Sequence, residues 1–246
     1  MSKTRVSLTL NQTLLKRVDA EADHRSLNRS QMVEEIIEDY IRGQTIDTAV
    51  ILCGDRELSP LKEIDGRPVL SHILEGLEDK GLTRAIILAG DNREELEASF
   101  GDKRFGITLD YVSDEVEGPG EALKKLEDRI GKTFLVLNGD VVLDLDIEDM
   151  VNVHRQEDSV ATMALRTADD PSKYGVVRMK GRTVLGFEEK PEPGEEPTRL
   201  VNAGAYIFEP EAFSILEEDF DQFFEKLSKE KQLSGYIYGG KWEKAD

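Results

Sequence analysis

The sequence contains a single cysteine, Cys53, which excludes an internal disulfide framework and any multi-cysteine metal cluster. Histidine is almost as scarce. His24, His72 and His154 are scattered, and their isolation points to surface or core positions rather than to a metal centre. No apolar run approaches the length of a membrane-spanning helix, and the polar N-terminus lacks the apolar stretch of a secretion signal. The expectation is a cytoplasmic chain with no membrane partner. Positive charge is also short: 32 Lys and Arg stand against 51 Asp and Glu, for a net charge of −19. Taken as one number, that balance argues against nucleic acid.

The deficit is unevenly placed. Residues 1–44 carry seven basic and seven acidic side chains, so the whole −19 falls on residues 45–246. This asymmetry predicts two domains, 1–44 and 45–246, with different partners. The 39% of hydrophobic residues is enough for a real core.

In the first segment Val6, Leu8 and Leu10 alternate with Arg5, Ser7 and Thr9, the period of a strand with one apolar and one polar face. Asn11 can cap a helix carrying Leu14, Leu15, Val18 and Ala22. Asn28, with Gln31 three residues on, predicts a capping box for a second helix whose apolar stripe runs through Met32, Val33, Ile36, Ile37, Tyr40 and Ile41. One strand and two helices cannot bury enough surface alone, so the strand is expected to pair with that of a second copy.

This segment resembles the ribbon-helix-helix family of dimeric DNA-binding proteins over Lys3 to Gly43. The resemblance implies a homodimer or higher assembly that reads double-stranded DNA with Arg5, Ser7 and Thr9, helped by Lys3, and clamps the backbone with Asn28, Arg29 and Ser30.

From Thr48 onward strand-like and helix-like runs alternate. Thr48 to Cys53, Arg84 to Ala89, Ile107 to Val112 and Phe134 to Leu137 read as strands; Val69 to Leu77 and Ala122 to Ile130 read as helices. The expectation is an α/β, Rossmann-like fold with a mostly parallel sheet, whose ligands bind at the carboxyl ends of the strands. Asp219 to Lys231, with Phe220, Phe223, Phe224 and Leu227 at helical spacing, predicts an amphipathic helix packed on that sheet.

Asn138-Gly139-Asp140, Tyr174-Gly175, Glu189-Lys190-Pro191 and Asn202-Ala203-Gly204 occur in the order and rough spacing of the sugar-phosphate nucleotidylyltransferases, which the body resembles from about Ala49 onward. The resemblance implies that Gly139 and Asp140 lie at the ligand, with Asp140 on Mg²⁺. It also implies that Gly175, Glu189 and Asn202 hold the sugar and Lys190 a phosphate.

The sequence departs from that family at three places. The glycine-rich loop shrinks to Cys53-Gly54-Asp55-Arg56-Glu57-Leu58-Ser59, and the phosphate lysine falls on Ser59, with Lys62 as a strained substitute. The base-binding region reads Asp114 to Leu123 and is acidic, and Lys244 replaces the second metal aspartate after Trp242. These departures predict an inactive body that binds a sugar phosphate or nucleotide sugar, with no cofactor unless residual nucleotide binding brings Mg²⁺. The function expected is then a DNA-binding regulator whose body serves as a ligand sensor, an oligomerisation element or a partner platform. The alternative is an active nucleotidylyltransferase whose N-terminal domain only dimerises it.

Overall fold

In the computed structural model, residues 6–44, 46–54, 60–112 and 118–245 are described, with the backbone alone for 38–44. The chain forms two compact units, Met1–Thr45 and Ile46–Asp246. The first holds α1 (Gln12–His24) and α2 (Arg29–Gln44). Both caps form as the residue types dictate. Leu14 N donates to Asn11 Oδ1 at 2.8 Å, Gln31 N donates to Asn28 Oδ1 at 3.1 Å, and Asn28 N donates to Gln31 Oε1 at 3.0 Å. Val18, Ala22 and Met32 are the buried centre of this unit.

The strand expected before α1 is absent from residues 6–10, because extended backbone becomes a strand only when another strand takes up its N–H and C=O groups. A ribbon-helix-helix arrangement is therefore not formed by the single chain.

The second unit runs β1 (Thr48–Leu52), β2 (Glu63–Ile64), β3 (Arg67–Pro68), α3 (Val69–Asp79), β4 (Arg84–Leu88), α4 (Arg93–Phe100), β5 (Lys103–Arg104), β6 (Ile107–Val112), α5 (Pro119–Lys124) and β7 (Phe134–Asn138). It continues through β8 (Val141–Leu143), α6 (Ile147–Glu157), β9 (Ala161–Thr167), β10 (Gly175–Lys180), β11 (Thr183–Glu189), β12 (Leu200–Phe208), α7 (Phe220–Glu230), β13 (Leu233–Ile237) and β14 (Trp242–Lys244). Ten strands join one sheet in the order β10-β11-β13-β9-β12-β7-β1-β4-β6-β5.

The sheet is mixed rather than mostly parallel. The run β7-β1-β4-β6 is parallel, as the continuous apolar character of β7, β1 and β4 suggests, and so is β9 with β13. Beyond β7, the β12 strand runs antiparallel to both β7 and β9, and β10 and β11 form a hairpin. That hairpin turns through Gly181 at φ +63°, a connection too short for a parallel crossover.

Alternate residues of each central strand serve opposite faces. Ala49, Ile51, Ala85 and Ile87 face α3 and α6, while Val50, Leu52, Ile86 and Leu88 join Phe134, Phe208, Phe213 and the aromatic face of α7. On α7, Phe224 lies 5.4 Å from Phe187 of β11 and 5.0 Å from Tyr206 of β12 (ring centroids), which fixes the helix on the sheet.

His154 is a core residue, as its isolation suggested. Its Nδ1 shares a 2.7 Å hydrogen bond with the Thr162 hydroxyl, and its Nε2 one of 3.0 Å with Glu209, which also accepts from Thr133 at 3.0 Å. The bond to His154, and after it the bond to Thr133, holds the Glu209 carboxyl below its usual range. Its contribution to stability is therefore present above that range and lost as pH falls through the depressed value. Glu209→Ala should lower unfolding free energy by about 1–2 kcal/mol at neutral pH, with a smaller difference in acid, measured by urea denaturation.

Candidate active site

The carboxyl ends of β1, β4 and β7 meet where the central strands run out. Cys53 N donates to Leu88 O, and Gly139 N to Leu52 O, both at 2.9 Å. The approach is close enough that a Cβ on Gly139 would lie 2.7 Å from both Cys53 Sγ and Leu52 O. Gly90, at φ +50°, comes as near to Gly54. Burial, and after it the charge of Asp140, pushes the Cys53 thiol up, so it is an inert core residue. Asp55 to Ser59, the shortened loop, and Asp114 to Glu117 of the acidic region lie outside the described residues. The glycines that follow are packed: Gly118 and Gly120 lie against the backbone carbonyls of Glu217 and Glu218, and Gly120 N donates to Glu218 O at 3.0 Å.

Asp140 is the one fully buried acid among the described residues, 1% exposed. Neither of its oxygens has an aligned hydrogen-bond donor among those residues, yet Lys244 Nζ lies 3.1 Å from Oδ2. The lysine is carried there by β14, which places Lys244 opposite Val141 of β8, and by Ala245 N donating to Asp140 O at 2.9 Å. Trp242 anchors that strand: its Nε1 donates to Ala203 O at 3.0 Å, and Arg166 lies 4.1 Å over its ring. Among the described residues no group of three or more His, Cys, Asp or Glu could hold a metal ion. One carboxylate already faced by an ammonium does not fit the Mg²⁺ expected at Asp140.

Gly175 stands opposite Glu189 in the β10–β11 hairpin, and a Cβ there would meet Glu189 Oε2 at 2.7 Å and the Phe187 ring at 2.5 Å. Burial, and after it the charge of Asp221, raises the Glu189 carboxyl, while Lys190 and Lys244 oppose the rise. Lys190 Nζ lies 3.8 Å from Glu189 Oε1, on a residue held at φ +44°. Asn202 Nδ2 donates to Tyr206 Oη at 2.7 Å, and its Oδ1 accepts from Gly204 N at 3.0 Å. The asparagine thus shapes the β12 irregularity that presses Gly204, at φ +84°, onto the Asn138 side chain. Tyr206 lies within electrostatic reach of Glu189, Asp140 and Asp221.

The structure therefore brings Asp140, Glu189, Lys190, Asn202 and Gly175 together with Lys244, at the end of the sheet where Gly139 turns the chain. A buried and a half-buried carboxylate beside ammonium groups suit a ligand with hydroxyls at one end and phosphate at the other. Tyr206, Asp221 and Arg166 were missed in the sequence. Asp221 lies on the polar side of α7, where an apolar period carries no signal.

Among the described residues, those expected to bind DNA leave Arg29 as the one cation, and it is paired. Lys3 and Arg5 lie outside the described residues, and Ser7, Thr9 and Ser30 are exposed. Asn28 is committed to its capping box. Arg29 makes a two-pronged bond to Asp19, at 2.6 and 2.8 Å, which compensates its charge. Among the described residues no helix is long and apolar enough to cross a membrane.

The Nucleotidyl transferase family model matches residues 56–241. The mannose-1-phosphate guanyltransferase of Saccharomyces cerevisiae is 32% identical over 197 residues, 74% of this chain and 54% of the yeast protein. The UTP–glucose-1-phosphate uridylyltransferase of Synechocystis is 32% identical over 174 residues, 64% of this chain and 45% of its own. The chain spans about half the length of these relatives. A UDP-glucose pyrophosphorylase solved with UDP-glucose has the same fold, with a TM-score of 0.70 at 20% identity over 80% of this chain and 92% of that one. These matches overturn the expectation of a DNA-binding transcription regulator with an inactive body. The proteins it resembles are named for nucleotidyl transfer.

Proposed function

Because this chain belongs to the nucleotidyl transferase family, we propose that it transfers a nucleotidyl group from a nucleoside triphosphate to a sugar 1-phosphate. A phosphate oxygen of the sugar 1-phosphate attacks the α-phosphorus, the new O–P bond forms as the bond to the β-phosphate oxygen breaks, and pyrophosphate leaves. The observation that carries the reading is the grouping of Glu189, Gly175, Lys190 and Asp140 at one end of the sheet. Glu189 accepts hydrogen bonds from sugar hydroxyls, and Gly175 leaves room for it. Lys190, two-thirds exposed, turns its charge to phosphate. Catalysis in such a reaction is mostly positioning and charge compensation, which these groups supply without a covalent intermediate.

The test is the reverse reaction. Wild-type protein given pyrophosphate and a panel of nucleotide sugars, including GDP-mannose and UDP-glucose, should release nucleoside triphosphate from at least one. Release from none would refute the proposal.

The N-terminal unit is proposed to pair two copies. Val6 is 74% and Leu8 59% exposed, Ile36 and Ile37 are 43% and 45% exposed, and only a small centre lies beneath them. Replacing both Val6 and Leu8 with glutamate should turn a dimer into a monomer in sedimentation equilibrium. A dimer that persists would place the contact elsewhere.

A further inference from the structure

A buried carboxylate is costly unless cations or hydrogen-bond donors compensate it. At Asp140 no aligned donor compensates the side chain among the described residues, and the Lys244 ammonium at 3.1 Å does. The pair sums to zero charge. A divalent ion brought to the same carboxylate would raise the sum to +2 and place two cations side by side. The resemblance puts an aspartate at position 244, and two aspartates with a divalent ion also sum to zero. Lysine at 244 thus preserves the charge of the site while occupying the place of the ion.

The position of that lysine is built into the fold. Its strand is paired with β8 and pinned by Trp242, whose indole is bonded to Ala203 and covered by Arg166. Its side chain is 49% exposed, so it reaches Asp140 and still opens to the site. An ammonium has three donors, and facing Asp140 by charge leaves donors for a ligand oxygen.

We propose that Lys244 is the resident cation of the Asp140 site, that it excludes a divalent metal ion from it, and that it binds the phosphate of the sugar 1-phosphate directly. The choice of ligand rests on the proposed nucleotidyl transfer; the exclusion of metal does not.

The first arm of the test therefore uses the metal alone. Mn²⁺ is titrated into the full chain and followed by electron paramagnetic resonance. Wild type should show no Mn²⁺ site that Asp140→Asn removes, whereas Lys244→Asp should gain one that the Asp140→Asn/Lys244→Asp double variant lacks. An Asp140-dependent site in wild type, or no gain in Lys244→Asp, would overturn the exclusion. The second arm is calorimetry with mannose 1-phosphate and glucose 1-phosphate, in EDTA and in excess Mg²⁺. Whichever ligand binds wild type should bind equally in both buffers. In EDTA, Lys244→Met should bind it about 10- to 100-fold more weakly, with Lys244→Arg recovering most of the loss. Loss of wild-type binding in EDTA, or an unchanged Lys244→Met, would overturn the role in phosphate binding. If neither sugar phosphate binds wild type, the phosphate role falls with the ligand assignment, while the Mn²⁺ arm still decides the exclusion.

Discussion

Glu189→Ala is expected to lower kcat/KM for the sugar 1-phosphate by about 100-fold or more. The carboxylate is half-buried between Gly175, Phe187 and the start of α7, so water compensates it poorly. A sugar hydroxyl donating to it replaces little solvent, and each bond to a charged group is worth about 1.5–3 kcal/mol. Two such bonds give the expected factor. Glu189→Gln keeps the shape and one acceptor, and should fall between alanine and wild type. The initial-rate profile also carries a pH signature. Burial and Asp221 raise the carboxyl, so the ionised form that accepts hydroxyls should be lost on acidification earlier than for an ordinary glutamate, and Asp221→Asn should move that limb to lower pH. An alanine variant with wild-type kcat/KM would remove Glu189 from the sugar site.

Lys244→Met should destabilise the folded chain by about 2 kcal/mol. Removing one partner of a fully buried ion pair costs about 3–5 kcal/mol, because the remaining charge is left uncompensated. Asp140 meets that condition, but Lys244 is half exposed and water recovers part of the loss, so the lower figure applies. The Asp140→Asn/Lys244→Met double variant should regain most of the stability, since it leaves no buried charge. The double-mutant cycle in urea measures the coupling between the two residues. Additive losses would show that the 3.1 Å approach contributes nothing.

Much of the fold was legible in the sequence because β1, β4 and β7 are buried on both faces and read as apolar runs, while β6 alternates apolar and polar residues. Thr48–Leu52, Arg84–Leu88, Ile107–Val112 and Phe134–Asn138 fall within a residue of their expected ends. The antiparallel half was not legible as such. Its direction is set by the pairing of β12 with β7 and β9, which a list of short motifs does not reveal.

The motifs in that half did mark the place where Gly175, Glu189 and Asn202 come together. What they could not give was the contact between Lys244 and Asp140, residues far apart in the chain and joined through the β8–β14 pairing and the bond from Ala245 N to Asp140 O. A lysine in place of an aspartate looked, in sequence, like the loss of a metal ligand. In the structure it is a cation delivered to the same carboxylate. The expectation of an inactive body rested on three departures from the family, and at one of them, Lys244, the structure shows a cation against the Asp140 carboxylate. The N-terminal pattern predicted its helices and caps correctly, but Arg29 pairs with Asp19 rather than standing free for phosphate.

The most direct test of the proposed activity is the forward reaction with isotopically labelled sugar 1-phosphate. Mannose 1-phosphate with GTP and glucose 1-phosphate with UTP are the first pairs to try, followed by the remaining nucleoside triphosphates. Labelled nucleotide sugar and pyrophosphate should form in equal amounts with wild-type protein, and both should fall about 100-fold or more with Glu189→Ala. No labelled nucleotide sugar from any pair, or product formed equally well by Glu189→Ala, would contradict the account.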